Sequence, residues 1–171
     1  MRTIILSLLL LPFTLAAQKT DVYLKLTDAA GQQIKGEVYA KGYERSIGVL
    51  SFNSGGKNNS QLTFTMSVSG ASADLKRAMG NGSLLTNGQL TVTQPNPNGG
   101  LPVIAYTIKM EAIKVNSCSE SMGCNNVLTT NTVLTATRIG WTYYQTSPNG
   151  SQTVSRKYGF DTATGGEWTN F

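Results

Sequence analysis

Apolar and polar residues alternate with a period of two along most of the chain. Gln61-Leu-Thr-Phe-Thr-Met-Ser-Val-Ser is the clearest case. Leu62, Phe64, Met66 and Val68 fall on one side, and Thr63, Thr65, Ser67 and Ser69 on the other. That is a strand with one face on a core, and a one-residue slip would expose all four apolar side chains. Val22, Leu24 and Leu26 mark an earlier strand, followed by a short run over 34–39 and another strand over 43–52. Strand character resumes over 88–93. A long strand from Val103 then keeps Ile104, Tyr106, Ile108 and Met110 in phase, while Ile113 and Val115 continue on the other parity. The shift near Ala112 predicts a bulge. Residues 131–144 place Val133, Thr135, Thr137, Ile139, Trp141 and Tyr143 on one face, with Leu134, Ala136, Arg138 and Gly140 on the other. A turn at Ser147-Pro-Asn-Gly leads into a closing strand that ends at Asp161.

One segment has helical spacing. Over 72–79, Leu75, Ala78 and Met79 form a stripe, Ser72 is placed to cap, Asp74 suits the positive end of the dipole, and Gly80 or Gly82 can end the helix. Seven or eight strands with regular turn signals and one short helix predict an all-β sandwich or barrel.

The chain has 171 residues, enough for one domain with a real core. Hydrophobic residues make up 40% and charged residues 13%, which excludes a charge-rich disordered protein. The formal charge is +5, with adjacent basic residues only at Lys76-Arg77 and Arg156-Lys157. Without a basic stripe interleaved with aromatics, nucleic acid is not an expected partner. Residues 1–17 have a short positive start, an apolar run and small residues at the end, the pattern of a secretory signal peptide. The run is shorter than the roughly 20 residues that span a bilayer. The expected organisation is a leader, 1–17, and a single mature domain, 18–171, that is secreted or periplasmic. In such a compartment Cys118 and Cys124, the only cysteines, are expected to form a disulfide.

No catalytic constellation stands out. Nucleophile systems that need histidine are excluded, because the chain has none. No metal or cofactor is expected. Glu37 or Glu44 could meet Glu111 or Glu167 as a glycosidase pair, but nothing local in the sequence supports it. Residues 161–167 lack calcium-loop spacing and read as a tight turn. Trp141, Tyr143, Tyr144 and Tyr158 fit either a core or a sugar-binding platform.

Several segments resemble the Hcp family, the tube proteins of type VI secretion systems. They are Asp21-Val-Tyr-Leu-Lys-Leu, Ile47-Gly-Val-Leu-Ser-Phe, the helix over 72–79 and Leu90-Thr-Val. The end is most alike: Ile139-Gly-Trp-Thr-Tyr-Tyr, then Lys157-Tyr-Gly-Phe-Asp-Thr-Ala-Thr, with Phe160 where the family usually carries tryptophan. The resemblance implies a β-barrel of two packed antiparallel sheets with one helix at its side. It implies a structural, non-enzymatic homo-oligomer, a hexameric ring that stacks into a tube and meets secretion-system components or effectors. It also implies a ring-stacking role for the polar loop Asn53, Ser54, Gly55, Gly56, Lys57, Asn58, Asn59 and Ser60. The leader departs from the family. The alternative is an exported Hcp-like binding module without tube function.

Overall fold

The computed structural model describes residues 20–55, 60–123 and 126–171. The leader, 1–17, lies outside them, as do Gly56, Lys57, Asn58 and Asn59 of the polar loop, and Cys124. The strands are β1 Val22–Thr27, β2 Ile47–Ser54, β3 Gln61–Ser67, β4 Leu85–Gln94, β5 Val103–Met122, β6 Leu128–Thr146, β7 Gln152–Asp161 and β8 Gly166–Glu167, with α1 Gly70–Asn81 between β3 and β4.

All eight strands belong to one antiparallel sheet of order β3-β2-β1-β4-β5-β6-β7-β8, and β3 also pairs with β6. That second pairing closes six strands into a barrel whose opposite walls pack face to face. β6 makes the closure possible by sharing one edge between two partners. Its first half, Thr129–Thr135, pairs with β3, and its second half from Arg138 pairs with β7. Between them Ala136 N donates to Ser60 O at 2.9 Å and Thr162 N to Thr137 O at 2.8 Å, so few backbone groups are stranded at the handover.

The alternation read from the sequence fills the barrel. Leu24, Leu26, Leu62, Phe64, Met66, Leu90, Ile108 and Met110 are all essentially inaccessible. Val68 lies just past β3 and is exposed. The 34–39 run is not a strand. Ile34 N donates to Leu26 O and Ile34 is buried, but the chain then folds back through Gly36 N to Arg45 O at 2.8 Å. Gly36 is pressed so closely on this return that a Cβ there would lie 2.5 Å from Ile47 Cα.

The phase shift in β5 falls where the pattern placed it, but its cause is not an extra residue. Ala112 has φ of 49°, in the left-handed region, while Glu111↔Arg138 and Ile113↔Ala136 keep one register. Thr137 Oγ1 donates to Ala112 O at 3.3 Å across this point. Both strands change facing together. Leu134 and Ala136 point inward before it, and Ile139 and Trp141 after it. The single inward face expected over 133–143 is therefore two half-faces. A register shift does occur in this ladder, further on, between Val115 and Ser117.

The helix starts earlier than expected. Ser69 is its N-cap, and Ser72 sits one turn inside. Ser69 N donates to Ser72 Oγ at 3.1 Å, and Ser72 Oγ shares a buried 2.8 Å hydrogen bond with Thr130 Oγ1 on β6. Gly82, with φ of 64°, ends it. Ala71 and Leu75 carry the buried face, whereas Met79 is partly exposed.

The Cys118–Cys124 disulfide is not shown. Cys118 is a free, buried thiol whose Sγ lies 3.9 Å from Ser72 O and accepts from Thr132 Oγ1 at 3.7 Å. The β5–β6 ladder continues past it to Met122↔Leu128.

Candidate functional surfaces

The polar loop is anchored at both ends. Asn53 and Ser54 are the last residues of β2, and Gly55 N donates to Gln61 O at 2.8 Å. Ser60 is buried, with its carbonyl on Ala136 N. Ser54 Oγ accepts from Trp141 Nε1 at 3.5 Å, tying the loop base to the aromatic strand. The two ends of the loop, Gly55 and Ser60, are therefore fixed at one mouth of the barrel.

The aromatic residues of β5, β6 and β7 line that same mouth. Beyond Thr135, β6 leaves β3, and Trp141 on its inward face reaches Ser54 at the end of β2. Tyr106 and Tyr143 stack at 5.4 Å, Trp141 and Tyr158 at 6.2 Å, and Phe52 tilts against Tyr106 at 6.3 Å. Trp141 is buried, but Tyr143 is 46% and Tyr158 45% exposed. The core reading holds for Trp141, while Tyr143 and Tyr158 are only half covered.

On the outer face, Arg138 stands between two carboxylates. Its Nε donates to Asp161 Oδ2 at 2.8 Å and its Nη1 to Glu111 Oε2 at 3.3 Å. Asp161 Oδ1 also accepts from Ala163 N at 2.9 Å and Thr164 N at 3.3 Å, so this aspartate organises the 161–165 turn. Arg138, with help from those amides, holds the Asp161 carboxyl below its ordinary range against an opposing desolvation effect. The tight-turn reading is correct, and the arginine that fixes it could not be seen from local spacing.

One row further along, Gly140 and Gly159 face each other across β6 and β7 and leave a hole in the outer face. The Phe171 ring fills it. A Cβ on Gly140 would lie 2.5 Å from that ring. Trp168 packs on Phe171 at 4.6 Å, and Lys157 places its ammonium 4.2 Å from the Phe171 ring centroid while donating to the Phe171 carbonyl. On the same face, Tyr23 and Tyr43 stack at 4.1 Å beside a cavity of about 700 Å³ that Lys25, Gln89 and Thr91 also line. Burial raises both phenol pKa values. Sequence reasoning missed this pair because Tyr43 comes from a turn, not from a strand next to β1.

Two of the candidate carboxylates are engaged, each by its own partner. Glu111 pairs with Arg138, and Glu44 accepts from Gly42 N at 2.9 Å. Glu37 and Glu167 are exposed. Among the described residues no group of three or more His, Cys, Asp or Glu is placed to hold a metal. Among them, too, no helix is long and apolar enough to cross a membrane.

Comparison with known proteins places this barrel. No curated protein sequence matches the chain. Several solved structures share its fold. Hcp1 from Salmonella typhimurium is 20% identical, with a TM-score of 0.70 over 87% of this chain and 99% of that one. A structure described as a type six secretion system protein is 20% identical, with a TM-score of 0.73 over 88% of this chain and 100% of that one. The secreted protein Hcp3 from Pseudomonas aeruginosa is 19% identical, with a TM-score of 0.63 over 80% and 97%. The sequence profile described as "Type VI secretion system effector, Hcp" matches residues 23–143, which run from β1 through the aromatic half of β6, and on that match the chain belongs to the Hcp family.

Proposed function

We propose that this protein is a structural, ring-forming Hcp-like subunit of type VI secretion, assembled as a homohexamer and not acting as an enzyme. The observation that carries the reading is the family match across the closed barrel, residues 23–143. The absence of histidine supports a structural role. Within this reading, residues 1–17 direct export, and the loop from Asn53 to Ser60 sets the contact between stacked rings. Rings can carry or meet effectors and other secretion-system components.

A second reading is favoured by the leader: an exported Hcp-like module that binds a ligand without building a tube. Native mass measurement of residues 18–171 separates the two. Hexamers at micromolar concentration support the ring, and a strict monomer at high concentration refutes it. Deleting Gly56 to Asn59 should leave single rings intact while abolishing longer stacks.

A further inference from the structure

We propose that the notch over Gly140 and Gly159 is a binding site for an aromatic residue of a second polypeptide, and that Phe171 is its displaceable internal occupant. The site does not depend on whether rings form.

The occupant shows what the notch recognises. The Phe171 ring lies over both glycines and against Trp168 at 4.6 Å, with the Lys157 ammonium 4.2 Å from its centroid. The same ammonium donates to the main-chain oxygen of Phe171. Ring and oxygen are therefore read together. A ligand needs an aromatic side chain whose own carbonyl or carboxylate oxygen reaches Lys157, and a carboxylate meets the ammonium best. An aliphatic side chain loses the cation contact, and a bare anion leaves the notch empty.

The glycines argue that the notch is built to open. Neither Gly140 nor Gly159 has a positive φ, so the backbone itself does not require glycine at either place. Gly159 also admits the Trp168 carbonyl, but the three atoms nearest an added Cβ on Gly140 all belong to the Phe171 ring. Glycine in a strand interior is less stable than alanine, and it marks places where another group approaches closely. A hole that only had to be filled is better closed by alanine at 140, which leaves no tail to order. What alanine cannot supply is a surface that exchanges its occupant.

The occupant is also separable from the sheet. Trp168 is buried and its N–H is bonded to Gly159 O at 2.9 Å, so it stays as one wall when the ring leaves. Thr169 and Asn170 are exposed, and Phe171 is half-buried. Ring burial and the cation, set against the freedom the tail regains, favour the docked state by about tenfold. A ligand then meets an open notch about one time in ten, and its apparent affinity is weakened by that fraction.

The test titrates residues 18–171 with N-acetyl-L-phenylalanine, which carries both ring and carboxylate, and follows the Gly159 amide and the Trp168 indole by NMR. Phe171→Ala should bind about tenfold more tightly than wild type, because its notch is always open. Adding Gly140→Ala to that variant should abolish binding, with thermal melts showing that both variants are folded. N-acetyl-L-alanine, which lacks the ring, should not bind Phe171→Ala. Equal affinity in wild type and Phe171→Ala overturns the proposal. So does a Phe171→Ala protein that binds nothing, or binding undiminished after Gly140→Ala. Native mass on the same samples reads the ring separately: a monomeric wild type refutes the ring reading and leaves this site standing.

Discussion

The pairing of Gly140 and Gly159 with the Phe171 ring makes a prediction that changes sign with context. Gly140→Ala adds one carbon 2.5 Å from the ring, so the ring must leave. Phe171 is half-buried, and docking hides on the order of 80 Å² of apolar surface, about 2 kcal/mol at the usual coefficient. The Lys157 cation over the ring adds about 0.5 kcal/mol. Releasing the segment returns about 1 kcal/mol of chain freedom, limited because Trp168 is already held by its own burial and backbone bond. Docking is thus worth about 1.5 kcal/mol net. Alanine regains about 0.5 kcal/mol over glycine in a strand interior, where Gly140 has no need of a positive φ. Gly140→Ala should therefore cost about 1 kcal/mol in the wild-type chain, lowering the melting temperature by about 2–4 °C. In a Phe171→Ala background the same substitution should stabilise by about 0.5 kcal/mol. Chemical denaturation of the four proteins in the cycle measures both steps. If Gly140→Ala has the same sign in both backgrounds, the glycine pair is not a ring-sized notch and the reasoning fails.

Three further outcomes are expected. Asp161 has a depressed pKa, so its contribution is complete above the ordinary carboxylate range and is lost as pH falls through the lower folded value; Asp161→Asn should reduce stability at neutral pH and flatten the loss below about pH 4. An unchanged acid limb in that variant would show that Arg138 does not set it. Ala112→Gly should stabilise by about 0.5 kcal/mol by relieving a left-handed alanine, and Ala112→Val should destabilise, as thermal melts will show. If both variants melt with wild type, the residue is not strained. Cys118 should resist alkylation until the barrel unfolds, because its thiol is buried against Ser72 and Thr132, and peptide mapping without reductant should find it unbridged. A Cys118–Cys124 peptide would instead restore the exported, disulfide-bonded picture.

The sequence by itself determined what depends on near neighbours. Alternation at Leu62, Phe64 and Met66 sets a strand, because a period of two is the only way to bury one face. A capping serine, the Leu75 stripe and a left-handed glycine set the helix, and the order of segments up to Lys157-Tyr-Gly-Phe-Asp sufficed to suggest the family. Only the tertiary structure decided what depends on partners distant in the chain. β6 divides its edge between β3 and β7 because both compete for the same backbone groups, and no local pattern records that division. Ala112 and Thr137 turn over together because a ladder couples the facing of its two strands. Cys118 points at α1 because β5 is paired beyond it. Gly140 and Gly159 read as unremarkable glycines until Phe171 is laid across them. Among the described residues no strand pairs with β7 from Gln152 to Tyr158 on the side away from β6, and only the completed topology shows which edge is left over.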